Sequence, residues 1–304
     1  MTQIQTRPQT RSPSRPLGAV VARALPQPRA FLALMAGTLA VLAALALPGR
    51  AATREEAQDF LRVTGFDVAL DGIALSAEDG PAMLGIDDPG FQGLWNVMAK
   101  KVFTSDEMQN IALSMLQETL TEDEMTVARD FYGSDLGQRL VKVEDMSHMD
   151  TDPDRGDKAK AVLNELLEQK DVDRVAALER LVTALDDTGD GAKAMAEVQS
   201  RFMIAARNAG VIELRVGDDE LRDMIAKQFR DLQDSDGTQR AVANAAFTYK
   251  DFTVEEIEAY ADALEAPGMQ KVYELMNAVQ YEVMANRFEA AAGLLSGAQI
   301  GEEL

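Results

Sequence analysis

Residues 186–197 (DDTGDGAKAMAE) place oxygen-bearing side chains at the spacing of a calcium loop. Asp186, Thr188 and Asp190 take the first, third and fifth positions, Gly191 the sixth and Glu197 the twelfth. Calcium favours such a ring of carboxylate and hydroxyl oxygens, with glycine making the sharp turn. Three features weaken the match. Thr188 stands where Asp or Asn is usual, Lys193 stands where a small apolar residue joins paired loops, and no second loop is present to pair with. Asp-Thr-Gly-Asp-Gly is equally the composition of a plain turn between helices, and the sequence favours that reading. A second acidic run, His148-Met149-Asp150-Thr151-Asp152-Pro153-Asp154, alternates carboxylates. Counted from Asp150, Arg155 and Ala161 occupy the positions a calcium loop needs for glycine and glutamate. It reads as an acidic interhelix loop in which Asp152 or Asp154 caps the next helix.

Other chemistries are narrowed by composition. The chain has no cysteine and one histidine, His148. Thiol catalysis, thiolate zinc sites and iron–sulfur clusters therefore fall away, as do zinc sites built from several histidines. A Ser-His-Asp arrangement would have to use His148, and no Gly-x-Ser-x-Gly elbow or phosphate-binding glycine loop occurs. A pair of carboxylates of the glycosidase type stays open, but 51 Asp and Glu make any chosen pair uninformative. The expectation is no catalytic residues, no cofactor-binding residues and no enzyme activity.

The first residues carry a location signal. Arg7, Arg11, Arg15, Arg23 and Arg29 precede an uncharged Ala/Leu-rich stretch at 30–49, which breaks at Pro48-Gly49. Gly49 and Ala51 suit a signal-peptidase site, so residues 1–51 read as a cleaved secretory signal directing the chain to the periplasm. An inner-membrane anchor at 30–49 is the alternative, since about 20 apolar residues suffice to cross a bilayer. Six of the 30 Lys and Arg but none of the 51 Asp and Glu lie in residues 1–50, which leaves a formal charge of −27 on the remainder. So acidic a chain is a poor partner for nucleic acid or an anionic membrane surface. It favours a monomer or weak oligomer.

Helical periodicity dominates the rest. Asp88-Pro89 reads as a cap with proline in the first turn, followed by an inward stripe of Phe91, Leu94, Trp95, Met98 and Val102. Thr104 or Ser105 opens the next helix, and Thr121 with Glu124 forms a capping box. Ser134 caps a helix whose inward face is read as Leu136, Leu140, Val143 and Met146. Later helical patterns cover 162–167, 175–185, 195–206, 221–232 and 273–295. Only 66–75 (FDVALDGIAL) and 211–216 (VIELRV) carry any strand signal, and each is read as either a short extended segment or a helix end. Thirteen of the 15 methionines lie beyond the signal; many sit on helix faces (Met98, Met108, Met115, Met125, Met146, Met269, Met276, Met284) and read as core filling, with an adaptable binding surface as the alternative.

One repeat is visible. Residues 120–143 (LTEDEMTVARDFYGSDLGQRLVKV) align without gaps on 252–275 (FTVEEIEAYADALEAPGMQKVYEL). Each copy reads as a capped helix, a short break and a second amphipathic helix, an αα-hairpin. The element combines a threonine-capped acidic start, an aromatic before a small-residue break, and Gly-Gln-Lys/Arg. It resembles the domain-of-unknown-function family 2059. The second copy departs from it, with Met269 where Gly137 stands in the first. The resemblance implies an exported helical protein of bacterial envelopes and supplies no catalytic residues. Physically, Phe131 and Tyr132 close the first helix onto the core. Gly137 and Gly268 allow close approach, and Gln138/Arg139 and Gln270/Lys271 reach carbonyls left free at the preceding helix end.

The fold expected is therefore all-α, a multi-helix bundle of two related helical halves. Residues 1–51 form the signal, 52–185 an N-terminal half and 186–304 a C-terminal half. The function expected is non-catalytic, structural or binding, with a hydrophobic ligand or protein partner. The alternatives are a calcium-responsive envelope protein using 186–197, and a carboxylate-dependent hydrolase. Two acids converging in a cleft with raised pKa would mark the last.

Overall fold

The computed structural model describes residues 52–185 and 190–301. Among them are thirteen α-helices, one 3-10 turn and no strand, so the fold is an all-α multi-helix bundle. The signal segment, the alternative anchor at 30–49, Asp186 and Thr188 lie outside the described residues. Among the described residues no helix is long and apolar enough to cross a membrane.

Side-chain caps set many of the helix starts. Thr53 and Glu56 form a reciprocal capping box on α1 (Arg54–Thr64). Gly65, at φ 71°, joins it to α2 (Phe66–Ser76). A 3-10 turn (Ala77–Asp79) leads into the short α3 (Gly80–Met83). Asp88 accepts the Phe91 amide at 2.7 Å and opens α4 (Pro89–Val102). Thr104 is the N-cap of α5 (Ser105–Thr119) but makes no side-chain cap bond. The capping box of Thr121 and Glu124 starts α6 (Glu122–Tyr132), and Ser134 caps α7 (Asp135–His148). Then follow α8 (Arg155–Gln169), α9 (Val172–Leu185), α10 (Gly191–Asn208) and α11 (Asp218–Thr248). A capping box of Thr253 and Glu256 opens α12 (Val254–Glu265), and α13 (Pro267–Gly301) completes the chain's described part.

The two segments that align in sequence thus both fold as capped helix pairs, α6–α7 and α12–α13, with the second helix starting at the aligned positions Asp135 and Pro267. They touch each other: Phe131 stacks on Tyr260 at 5.7 Å, and Arg139 pairs with Glu256 at 2.5 Å.

The long helix α13 is the spine. Its 35 residues run about 50 Å and pack against α2, α4, α5, α6, α10 and α12. Its buried face changes along its length: Met269, Val272, Met276, Val279 and Val283 form one stripe, and Ala285, Phe288, Ala292 and Leu295 lie on the other side. Near its middle Trp95, Phe103, Phe202 and Phe288 meet in a ring cluster, with centroids 4.9–6.1 Å apart. Trp95 is fully buried, and its indole N–H is satisfied by the Ala77 carbonyl at 2.6 Å. Gly80 lies beneath this ring, where a Cβ would come within 2.1 Å of Trp95.

Several expectations are corrected. Residues 66–75 are helical, because Phe66, Ala69, Leu70 and Ile73 form one buried helical stripe. Residues 211–216 are neither strand nor helix but the irregular link between α10 and α11. Asp154 is the N-cap of α8 without a side-chain cap bond. In its place Asp150 accepts the Asp152 amide and Asp152 accepts the Asp154 amide, each at 2.9 Å. The alternating carboxylates therefore fold their own turn. On α7 the buried positions are Gly137, Leu140 and Val141, while Met146 is 60% exposed. The inward face is rotated from the one read off the apolar residues. Gly137 does permit close approach, since a Cβ there would lie 2.3 Å from the Phe131 carbonyl. At Gly268 the nearest atom would be a Val127 methyl at 3.4 Å, so no such need exists. Gln138 donates to the Tyr132 carbonyl at 2.6 Å, as the helix-end reading requires.

Candidate functional site

The rotation of α7 decides where the chemistry falls. Leu140 and Val141 face the core, and the position three to four residues on continues the same face of a helix. That position is Glu144. It forms part of a cleft of about 630 Å³, to which α7, α9, α11, α12, α13 and the α1–α2 corner all contribute.

Four of the five tyrosines gather around this carboxylate. Tyr249 donates its hydroxyl to Glu144 Oε1 at 2.8 Å. Tyr260, which also bonds Glu144, lies 2.9 Å from Tyr132 and 2.8 Å from Tyr273, hydroxyl to hydroxyl. Tyr132 and Tyr273 close the triangle. Burial pushes the hydroxyls of Tyr132, Tyr249 and Tyr260 well above the ordinary phenol value, and that of Tyr273 upward too. They act as neutral hydrogen-bond groups. Desolvation raises the Glu144 carboxyl, while the bonds from Tyr249 and Tyr260 pull it back.

Asp145 follows on the same helix but faces another wall, the α1–α2 corner. Its Oδ1 is buried without a hydrogen-bond partner. A Cβ on Gly65 would stand 2.7 Å from that oxygen, so a residue with a side chain there would crowd it. Desolvation raises the Asp145 carboxyl, and the nearby Asp67 raises it further. Asp67 is itself raised, chiefly by desolvation.

The basic groups of the cleft are committed elsewhere. Arg155 donates to the Ser147 carbonyl at 2.8 Å and to Ser147 Oγ at 2.6 Å, and pairs with Asp150 at 3.5 Å. It ties the α7–α8 turn together. Desolvation, then the Arg155 charge, lowers the pKa of His148, so its ring is neutral at pH 7. Ser147 is held by Arg155.

Residues 101–165 match the family model described as an uncharacterized protein conserved in bacteria, DUF2059. This is the family that the first hairpin resembles. The DUF2059 segment includes α5, α6, α7 and most of α8, and so carries Tyr132, Glu144, Asp145, His148 and Arg155. The second hairpin lies beyond it. No curated protein and no solved structure matches the chain.

The calcium candidates are placed differently. Asp186 and Thr188 lie outside the described residues. Asp190 is the exposed N-cap of α10, 3.5 Å from Lys193. Glu197 lies in the second turn of α10 and pairs with Arg222 at 3.4 Å. Among the described residues no group of three or more His, Cys, Asp or Glu is arranged to hold a metal ion.

Sequence reasoning missed Glu144 and the tyrosines. The signal was there: an acid spaced four from Leu140 and three from Val141, inside a stripe that buries its neighbours. Choosing Met146 as inward hid it.

Proposed function

We propose that this chain is an exported, non-catalytic binding protein of the bacterial periplasm, and that its ligand site is the cleft at Glu144. The observation that carries this reading is the cleft itself. It has the size usual for small-molecule sites, with apolar walls and a few convergent polar groups. Phe66, Val182, Leu185 and Met276 provide the walls; Glu144, Tyr249 and Asn277 provide polar atoms. The hydrophobic ligand expected from composition becomes a molecule with an apolar body and a polar head. The cleft's hydroxyls are neutral tyrosines, Ser147 and Thr248 held by Arg155, and Thr64 bonded to the Phe60 carbonyl, none of them set as an activated nucleophile. Periplasmic location is supported by the arginine-rich, apolar, small-residue pattern of residues 1–51. The matching helix starts and capping boxes support reading α6–α7 and α12–α13 as copies of one unit.

The test is a thermal-shift screen of small molecules against the wild type and Asn244→Trp. Asn244 lines the cleft from the exposed side of α11, so a tryptophan there blocks the space without entering the core. Compounds that raise the wild-type midpoint should fail on the variant. Equal shifts on both proteins would refute the cleft as the site.

One observation favours a second reading, a carboxylate-dependent hydrolase: Glu144, Asp145 and Asp67 are raised together at this site. Its test is hydrolysis of a panel of chromogenic glycosides, with turnover abolished in both Glu144→Gln and Asp145→Asn.

A further inference from the structure

The charges that line the cleft do not balance. Glu144 opens into it, and Asp145 lies beside it with its Oδ1 turned to the α1–α2 corner, near Asp67. The lining basic groups among the described residues are Arg155 and His148. Arg155 is occupied by Ser147, Asp150 and Thr248, and it lies over the Phe247 ring at 5.8 Å. Its charge is matched locally by Asp150. Glu144 receives only neutral hydroxyl donors, and Asp145 Oδ1 receives none. A carboxylate withdrawn from water is costly until a cation or several donors compensate it. Among the described residues, neither basic group that lines the cleft is hydrogen-bonded to Glu144 or Asp145.

Resting on the binding reading above, we propose that the cleft takes a small organic cation: a protonated amine on a compact apolar body, its ammonium head against Glu144 and its body between Phe66, Val182, Leu185 and Met276. An ammonium group has three donors and no acceptor. That suits an acceptor-rich floor made of the second Glu144 oxygen and tyrosine oxygens. The apolar walls add the burial that a fully hydrated inorganic cation would not use. The amides of Asn277 and Gln280, facing the same space from α13, provide for a further polar substituent. An anionic ligand would meet Glu144 and Asp145 with like charge. A neutral one would leave both as they are.

Three probes of one shape decide the matter: benzylamine, benzyl alcohol and benzoate. Each is titrated calorimetrically into the purified protein at neutral pH and physiological salt, and the series is repeated with Glu144→Gln and Asn244→Trp. One partly buried charge-assisted bond is worth about a tenfold change in affinity. Benzylamine should therefore bind about tenfold more tightly than benzyl alcohol, and benzoate more weakly than either. Glu144→Gln should remove the advantage of the amine over benzyl alcohol, and Asn244→Trp should abolish all binding. The chain is acidic enough to attract cations without a site, so amine binding unaltered in Glu144→Gln overturns the proposal. Benzyl alcohol or benzoate binding as well as the amine overturns the charge assignment and leaves the cleft standing. Failure of all three probes overturns the cleft reading together with it.

Discussion

Gly137 offers a sharp test of how the first hairpin is held. A Cβ at this position would lie 2.3 Å from the Phe131 carbonyl oxygen and 2.5 Å from Tyr132 Cα. Both are backbone atoms and cannot swing aside, so Gly137→Ala must push α7 away from the end of α6. Overpacking of this kind costs about 1–3 kcal/mol. The same shift disturbs the Ser134 cap, whose hydroxyl accepts the Gly137 amide at 3.1 Å, a loss of about 1 kcal/mol. It also pulls Gln138 from the Tyr132 carbonyl, 2.6 Å away, at about 1 kcal/mol more. The whole comes to about 3–5 kcal/mol, which for a chain of this size lowers the melting midpoint by about 6–20 °C. Gly268→Ala is the control. Its added methyl would meet only Val127 at 3.4 Å, and alanine is favoured over glycine in a helix by about 0.5–1 kcal/mol. Its midpoint should hold or rise. Circular dichroism melts of both variants decide the matter. An unchanged midpoint for Gly137→Ala, or equal damage from Gly268→Ala, would refute the argument from close approach.

Three further outcomes follow from the site. The Asp145 carboxyl has a raised pKa in the fold, so its stabilising share is complete below the unfolded value and is lost as pH rises through the folded one; Asp145→Asn should therefore raise the melting midpoint relative to wild type more at pH 7.5 than at pH 4, and a pH-independent difference would contradict this. Tyr132→Phe should cost only about 1 kcal/mol, because Tyr260 and Tyr273 still bond each other at 2.8 Å; urea melts showing a loss several times larger would mean that the three hydroxyls act as one unit. Calorimetric titration with calcium should show no binding tighter than about 10⁻⁵ M, the sensor range, since Glu197 is engaged with Arg222 on α10; stoichiometric binding in that range, lost in Glu197→Gln, would favour the calcium-responsive alternative.

The helices were largely legible, because their signals are local. Asp88-Pro89, Thr121 with Glu124, Ser134, and Thr253 each open a helix where their chemistry says one should start. Length was harder. Asp-Ser-Asp-Gly at 234–237 looks like a break, yet α11 runs unbroken from Asp218 to Thr248. Its far end packs Val242, Ala243 and Ala246 into the core, and such burial outweighs a glycine penalty of about 1 kcal/mol. Residues 66–75 misled because their apolar residues fit a strand's alternation as well as a helix's stripe; only packing chose. Of the methionines read as core, Met108, Met125, Met269, Met276 and Met284 are buried, while Met146 is exposed. The cleft was beyond local reasoning. Tyr132, Tyr260 and Tyr273 come from three helices and Tyr249 from the end of a fourth, and only tertiary assembly brings their hydroxyls together by Glu144.

The spine has a consequence in time. A ribosome makes α13 after every helix that packs against it. Until it emerges, α2, α4, α5, α6 and α10 lack the part of their packing that α13 supplies, and Trp95, Phe103 and Phe202 wait for Phe288. Nearly every contact that α13 makes with them joins distant parts of the chain, and such contacts form late and slowly. The nascent polypeptide is thus kept from committing to its native state by the order in which its parts appear. The element that locks the bundle is made only after the helices it locks.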